Sequence, residues 1–179
     1  MLDFAKKYEE QLKQLYRNTA TDPRYRYIFS NGYWEELELS SNTWKDVERV
    51  SINPYTHNII GFISFTPFRV KDLAFGLFVV NFDMNNVQSK YIFSRDLKTA
   101  ILDIFYLFNF NLLRFSCSSE IPLLEKNRKL VAKYGGREVG YFTNDFLDTL
   151  GVLSDRVTFE IDKASLNKAL FWKESKEKY

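Results

Sequence analysis

The fold of this chain is decided by residues 133–140, which read Lys-Tyr-Gly-Gly-Arg-Glu-Val-Gly. The run before them, residues 122–132, has the apolar spacing of a helix, and the run after them is strand-like. A glycine just past a helix adopts the left-handed cap conformation without a Cβ clash, and a second glycine allows the backbone to approach another strand closely. The sequence therefore predicts that Gly135 and Gly136 form a fixed corner between a helix and a strand.

The composition is that of one folded domain. Of the 179 residues 45% are hydrophobic, and 17 Phe, 11 Tyr and 3 Trp supply large side chains for a core. We expect a single domain over residues 1–172 and a charged, frayed tail over residues 173–179. The 25 basic and 23 acidic residues are scattered along the chain, so the net charge of +2 gives no reason to expect a nucleic-acid partner.

Cysteine and histidine content limits the chemistry. Cys117 is the only cysteine and His57 the only histidine, so we predict no internal disulfide and no metal site. No stretch approaches the roughly 18 consecutive apolar residues of a membrane helix. Residues 1–16 mix both charge signs, unlike a signal peptide. These features predict a cytoplasmic protein of a bacterium, or of the infected host if a phage encodes it, with no membrane partner.

Hydrophobic periodicity predicts the order of the elements. It gives an amphipathic helix within residues 1–16, then strands at 47–52, 59–65 and 73–82. The last strand is almost wholly apolar, as expected for a central strand covered on both faces. The remaining predicted elements are a helix with Ser94 as its N-cap, a strand at 112–117, a helix at 122–133 and a closing hairpin of 137–142 with 156–161. This order indicates an α/β (α+β) fold with a mixed sheet.

From residue 47 to residue 166 this order resembles the GNAT superfamily of acyl-CoA-dependent N-acyltransferases. The local match comprises Pro122, the glycine corner, Val139 with Gly140, and Asp155 in the closing hairpin. The resemblance implies a mostly antiparallel central sheet flanked by helices, with a splayed parallel pair of strands and a C-terminal hairpin. It also implies acetyl-CoA as the cosubstrate and an amine as the acceptor.

The resemblance further implies where the cosubstrate binds. In this fold the pantetheine arm pairs with the central strand as an added strand would, and the pyrophosphate lies at the start of the next helix. The implied CoA-binding residues are Leu77, Val79, Val80 and Phe82 on the central strand, Ser94 and Arg95 at the helix start, and Asn127 in the last helix.

Two features of the superfamily are missing from the sequence. Residues 85–93 contain no glycine where the superfamily carries a glycine-rich phosphate turn, and Asp96 adds a negative charge there. Aligned back from Gly135, the general-acid tyrosine falls near Asn127 or Val131, and neither side chain supplies a proton. The sequence therefore leaves two functions open. One is an acetyltransferase acting on an unknown amine; the other is a GNAT-like structural or protein-binding module without catalysis.

Glu120 and Tyr141 are the candidates for catalysis. Glu120 follows the predicted parallel strand and is placed to act as a general base, although a carboxylate before Pro122 is also typical of a solvated helix cap. The Tyr141 hydroxyl lies beside the glycine corner in sequence, and its alternative role is packing in an aromatic rim. The resemblance also implies that acceptor specificity depends on residues 19–41, because the early helices and loops set it in this fold.

Overall fold

A computed structural model of the protein describes residues 1–28, 39, 47–69 and 74–176. Its strands are β1 (Leu2–Phe4), β2 (Val47–Ile52), β3 (Ile59–Arg69), β4 (Ala74–Asn81), β5 (Leu112–Ser118), β6 (Arg137–Leu147) and β7 (Leu153–Asp162). Its α-helices are α1 (Glu9–Ala20), α2 (Val87–Tyr106), α3 (Leu124–Lys133) and α4 (Lys163–Lys176), and 3-10 turns occupy Ala5–Tyr8 and Pro23–Tyr25. The predicted mixed α/β class is confirmed.

The described strands form one sheet in the order β1-β2-β3-β4-β5-β7-β6. Neighbouring strands are antiparallel except for β4 and β5, which are parallel. The nearly continuous apolar run predicted to be central is β4, the fourth of the seven strands. Its position agrees with the rule that a strand covered on both faces carries apolar residues throughout.

The parallel pair holds the two halves of the sheet together over a short distance. Only three residue pairs join β4 to β5, from Ala74 opposite Leu112 to Gly76 opposite Arg114. Both strands continue beyond the last pair, so they separate toward their carboxyl ends. The splayed parallel pair that the sequence resemblance implied is confirmed.

Helices cover the two faces of the sheet unequally. On one face, Ile104 of α2 packs in a large core with Leu113 of β5 and Phe159 of β7. On the other face, Tyr16 of α1 meets Phe62 of β3 edge to face, with ring centroids 6.1 Å apart. Within the described residues this second core takes strand residues from β2, β3 and β4 only. The second face of β5, β7 and β6 therefore lies outside the core that α1 covers.

The glycine corner has the predicted geometry. Gly135 follows the end of α3 with a φ of 73°, in the left-handed region. A Cβ on Gly135 would lie 2.5 Å from the carbonyl oxygen of Ser165 in α4. A Cβ on Gly136 would overlap the carbonyl oxygen of Glu160 in β7. The first glycine is therefore required by its backbone angle and by space, and the second by the close approach of a neighbouring strand.

The prediction that Ser94 caps a helix is wrong. α2 begins at Val87, and its N-cap is Asn86, whose side-chain oxygen accepts two backbone N–H groups of the first turn at 3.0 and 3.2 Å. Ile92 and Phe93 are buried, so the apolar face of the helix extends well before Ser94. Asn and Ser are comparable N-caps, and the sequence pattern alone favoured the later one.

Asp96 also differs from its predicted place in a first helical turn. It lies in the interior of α2 and is 4% exposed. Its carboxylate accepts a hydrogen bond from the Ser51 hydroxyl at 2.8 Å, from the Met1 amino group at 2.8 Å and from the Arg95 guanidinium at 3.1 Å. The charge of Asp96 is therefore directed into the contact with β2 and is neutralised there.

Both ends of the chain contain structure that periodicity did not predict. Leu2–Phe4 forms an edge strand against β2, and the helix expected within residues 1–16 begins only at Glu9. α4 was not predicted, and the domain boundary expected at residue 172 falls inside it. Over the part of the chain that the structure describes, no helix is long and apolar enough to cross a bilayer.

Candidate functional site

A cavity of about 300 Å³ occupies the gap between β4 and β5. Beyond Gly76 the structure pairs no residue of β4 with β5, so this edge of the central strand is open to a further strand-like partner. The cavity is lined by Thr66, Gly76, Leu77, Phe78, Arg114, Phe115 and Ser116. This gap is the candidate functional site, and its lining combines apolar side chains with two hydroxyls and a guanidinium.

The residues predicted along the central strand differ in their surroundings. Leu77 lines the cavity. Val79 packs against the large core, and Val80 is buried in the second core. The ring of Phe82 meets Tyr16 with centroids 5.4 Å apart. The side chains of Val79, Val80 and Phe82 therefore serve packing, and any role of these three residues in binding a cosubstrate rests on their backbone groups.

The start of α2 is already capped by its own loop. The Asn86 side chain accepts the N–H groups of Gln88 and Ser89, and the Ser89 hydroxyl donates to Asp83 at 2.7 Å. A helix start binds phosphate through free N–H groups and its positive dipole end. Here two of those groups have an acceptor, and the carboxylate of Asp83 lies beside them. The loop that replaces the glycine-rich turn is thus less suited to phosphate than a bare helix start.

Ser94 and Arg95 lie together in a different place from the one predicted. They are exposed on α2 and line a groove of about 250 Å³ between α2 and α3. Lys98 and Lys133 also line this groove, so three cationic side chains face it together with two tyrosine rings, Tyr91 and Tyr134. We call it the basic groove. Ser94 and Arg95 cannot bind a pyrophosphate through the N–H groups of a helix start, because both residues lie inside α2.

The structure brings Glu120 and Tyr141 to the same end of the sheet. Glu120 is exposed in the turn that follows β5, and its N–H donates to the Ser118 hydroxyl at 3.0 Å. The Tyr141 hydroxyl donates to Asp155. The hydrogen bond to Asp155 raises the pKa of Tyr141, and the negative charge of Glu120 adds to this effect. Tyr141 also lies on β6, two strands from β5, or roughly 10 Å away. Its hydroxyl is therefore a weak and distant proton donor for the gap.

The pair of Tyr141 and Asp155 gives a direct test of this geometry. The Tyr141 hydroxyl and the Asn144 backbone N–H hold the pKa of Asp155 below its usual value. We expect Tyr141→Phe to raise the Asp155 pKa toward the usual value of about 3.9, because a donor to the carboxylate is lost. Carboxyl NMR titration measures this change. An Asp155 pKa unchanged by Tyr141→Phe would contradict the hydrogen bond.

Asn127 contacts the single cysteine. Its side-chain amide lies 3.7 Å from the Cys117 sulfur, on the α3 side of β5. Burial raises the pKa of the Cys117 thiol, with a smaller opposing effect of the Asn127 hydrogen bond. A thiol of this kind is mostly protonated near neutral pH and is a poor nucleophile. The predicted contact of Asn127 with CoA stays a prediction.

Two adjacent residues after α1 link the halves of the sheet at the open end of the gap. The Tyr25 hydroxyl donates to the carbonyl oxygen of Asn81 at the end of β4, at 3.0 Å. Arg26 forms an ion pair with the buried carboxylate of Asp148 in the turn between β6 and β7. We call Tyr25 and Arg26 the clasp. It belongs to the region where acceptor specificity was expected; of that region, residues 29–38, 40 and 41 lie outside the described residues.

Sequence reasoning missed several residues of the site. Thr66, Arg114 and Ser116 line the gap, but each lies in a strand where its residue type carries no motif. The alternation of Arg114 and Ser116 with buried Leu113 and Cys117 in β5 was the available signal, because it sends the polar residues to one face. Neither residue of the clasp had a sequence signal beyond the nearby turn.

Comparison with known proteins gives matches in structure and none in sequence. A scan against protein-family models finds no match, and no curated protein matches the sequence. Among solved structures, spermidine N-acetyltransferase from Vibrio cholerae, in complex with CoA and spermine, superposes with a TM-score of 0.71. It is 17% identical over 93% of this chain and 96% of that chain.

Two further solved structures give the same result. Ribosomal-protein-S5-alanine acetyltransferase from Vibrio fischeri has a TM-score of 0.69, with 16% identity over 91% of this chain and 92% of that chain. A probable acetyltransferase has a TM-score of 0.65, with 15% identity over the same shares of the two chains. The order of strands, the splayed parallel pair and these superpositions agree: the chain has the GNAT fold.

Proposed function

We propose that this protein is an N-acyltransferase that transfers an acetyl group from acetyl-CoA to an amine. The observation that carries the proposal is the open edge of β4 in the gap beyond Gly76. A sheet edge that has hydrogen-bonding groups but no strand partner can accept an extended amide chain. The pantetheine arm of CoA is such a chain, and a neighbour with this fold was solved in complex with CoA.

The donor is proposed to enter with its thioester in the gap and its nucleotide outside. Its amides would pair with the backbone of β4 at Leu77 and the residues that follow. The basic groove offers Arg95, Lys98 and Lys133 to the phosphates, which favour such cationic donors. This placement gives Ser94 and Arg95 a role in binding the donor, although not the role that a helix start would give.

The free, buried Cys117 suits a reducing cytoplasm.

The proposed reaction needs little acid catalysis from the protein. A neutral amine attacks the thioester carbonyl carbon, the new C–N bond forms, and the C–S bond breaks with its electron pair going to sulfur. The thiolate can leave without prior protonation because it is a weak base, with a thiol pKa of about 8.5, and it then takes a proton from water. The extra proton on the new amide nitrogen passes to Glu120 or to water. The protein contributes mainly by orienting the two reactants in the gap.

A second candidate function has its own support. α3 contains no tyrosine, and the start of α2 is capped by Asn86 with the carboxylate of Asp83 beside it. These features favour a GNAT-fold module that has lost tight binding of CoA and instead contacts a protein partner. The two candidates differ in whether acetyl-CoA binds at all.

Isothermal titration of acetyl-CoA into the full chain separates the two candidates. An acyltransferase should bind with a micromolar Kd. At a ligand concentration of 100 Kd its free energy of unfolding should rise by about 2.7 kcal/mol, because the ligand binds only the folded chain. This gain should raise the melting temperature by several degrees. Absence of both heat and a thermal shift at millimolar acetyl-CoA would reject the acyltransferase and favour the binding module.

The basic groove is tested by Ser94→Glu. Added negative charge beside Arg95 and Lys98 should weaken the binding of acetyl-CoA about 5- to 20-fold, because phosphate and carboxylate repel each other. Acetyl-pantetheine, which lacks the nucleotide, should bind both forms equally. Gln11→Glu is the control for added charge, since Gln11 is exposed on α1 and does not line the groove. Equal losses in the two variants would remove the basic groove from the binding site.

A further inference from the structure

A second surface, continuous with the gap, lies on the face of the sheet outside the core that α1 covers. β5, β7 and β6 present rows of paired residues there. One row is Arg114, Glu160 and Arg137, the next is Ser116, Thr158 and Gly140, and the third is Ser118, Arg156 and Phe142. Together with Glu138 and Val139, most of these residues line a groove of about 680 Å³. We call it the sheet groove.

The floor of the sheet groove is low over β5 and β7, where its middle row is small. Ser116 and Thr158 share a hydrogen bond of 2.9 Å between their hydroxyls, whereas the third member of the row, Gly140, lies under the ring of Phe142, which a Cβ on Gly140 would meet at 2.6 Å. The first and third rows are taller and carry arginines. A ligand can therefore lie over the Ser116 and Thr158 hydroxyls, between arginines of the first and third rows.

The sheet groove opens into the gap where the acyl group is proposed to arrive. Arg114 and Ser116 line both cavities. Because adjacent strands are about 4.8 Å apart, β6 lies roughly 10 Å from β5 across the groove. An acceptor with its amine in the gap would extend its remaining atoms along the sheet groove.

The charges in the sheet groove favour an anion. The two carboxylates in the lining already have cationic partners. Glu160 accepts a hydrogen bond from Nε of Arg114 at 2.8 Å, and Glu138 forms an ion pair with Nε of Arg128 at 3.1 Å. Arg137 is exposed and forms no ion pair with any residue that the structure describes. Arg137 is close enough to help lower the pKa of Asp162, but its guanidinium has no direct carboxylate partner among the described residues, so it is available to an anion on the β6 side.

Arg156 has a hydrogen-bond donor that no described residue uses. It forms an ion pair with Asp145, and its guanidinium lies 5.1 Å from the centre of the Phe142 ring. Its Nε is nonetheless buried without a hydrogen-bond partner among the described residues. A buried donor without an acceptor is unfavourable, and an anion that re-orients the guanidinium would remove that cost.

We infer that the sheet groove binds the acceptor, and that the acceptor is an amine bearing a carboxylate or phosphate group roughly 10 Å from its nitrogen. The inference deepens the proposed function and rests on it for the identity of the reacting amine. A polyamine fits this groove poorly, because each of its further ammonium groups would meet Arg137 or Arg156 rather than a free carboxylate. The class of acceptor thus differs from the spermine bound by the Vibrio cholerae neighbour.

The test measures binding of small amines to the full chain without CoA, by NMR titration. The probes are the tripeptide amides Gly-Gly-Glu and Gly-Gly-phosphoserine, the uncharged match Gly-Gly-Gln, and spermidine. We expect each anionic probe to bind at least 10-fold more tightly than Gly-Gly-Gln and than spermidine. The stronger of the two anionic probes identifies carboxylate or phosphate as the preferred group. Tighter binding of spermidine, or no binding of either anionic peptide at millimolar concentration, would overturn the inference.

Substitutions test whether the sheet groove causes the preference for anionic peptides. Arg137→Gln combined with Arg156→Gln should abolish the preference for the anionic peptides, while Lys126→Gln combined with Lys129→Gln, an equal charge change on the exposed surface of α3, should preserve it. A preference that survives the double variant would place the anion elsewhere and overturn the inference. Binding of acetyl-CoA is measured separately on the same samples. If CoA fails to bind while the peptide preference persists, the proposed acyl transfer fails and the anion-binding groove stands.

Discussion

Replacing Gly135 with alanine should lower the free energy of unfolding by about 2–5 kcal/mol. A non-glycine residue in the left-handed region costs about 1–2 kcal/mol. The added Cβ would also lie 2.5 Å from the carbonyl oxygen of Ser165, so the backbone of α4 must shift, and such overpacking costs about 1–3 kcal/mol. Urea denaturation measures the loss, and the melting temperature should fall by about 10 °C.

Gly151 supplies the matched control. It has almost the same backbone angle, a φ of 74°, but a Cβ there meets no atom within 4 Å. Gly151→Ala should therefore cost only the conformational part, about 1–2 kcal/mol. The difference between the two variants isolates the close approach of α4 to the corner. Equal losses would mean that the corner tolerates a side chain and that its geometry differs from the structure.

Ser116→Phe should weaken acetyl-CoA binding at least 100-fold and reduce acyl transfer accordingly. Ser116 is exposed and lines the gap, so an aromatic ring at this position would fill much of the cavity of about 300 Å³. The donor cannot then pair with the edge of β4. Titration calorimetry measures the affinity, and melting shows whether the fold is kept, as we expect for an exposed position.

Thr143→Phe is the control for a large ring on the surface of the sheet. Thr143 is exposed on β6 and lines none of the cavities described above. This variant should bind acetyl-CoA as the unmodified chain does. Full affinity in Ser116→Phe would show that the donor does not enter between β4 and β5, and the proposed function would then lose the observation that carries it.

Those parts of the fold that depend on local chemistry could be predicted from the sequence. The corner at Gly135 and Gly136 was predicted because glycine alone meets its requirements, and the central position of β4 because its apolar run has no polar face. The start of α2 could not be predicted, because Asn86 and Ser94 are both acceptable caps and the choice depends on burial of the residues between them. β1 was missed because its three residues are held by β2, a partner distant in sequence.

The candidate site was harder to predict than the fold. The gap itself followed from the resemblance, and Leu77 does line it. Arg114 and Ser116 could not be chosen from the sequence, since their position depends on the register of β5 with β7 and on where β4 separates. Glu120 and Tyr141 do lie near one another, but the hydrogen bond that raises the pKa of Tyr141 involves Asp155, which is distant in sequence.

The clasp, Tyr25 and Arg26, affects the width of the gap between β4 and β5 without lining it. Because three residue pairs join β4 to β5, the two halves of the sheet are held together at one end of the gap and are separate at the other end. Tyr25 and Arg26 connect the two halves of the sheet at the open end of the gap, through their contacts with Asn81 and Asp148. None of these four residues lines the gap. We therefore expect substitutions at these four positions to change the width of the gap and, under the proposed function, the size of the acyl group that the gap admits, while the residues that line the gap stay the same.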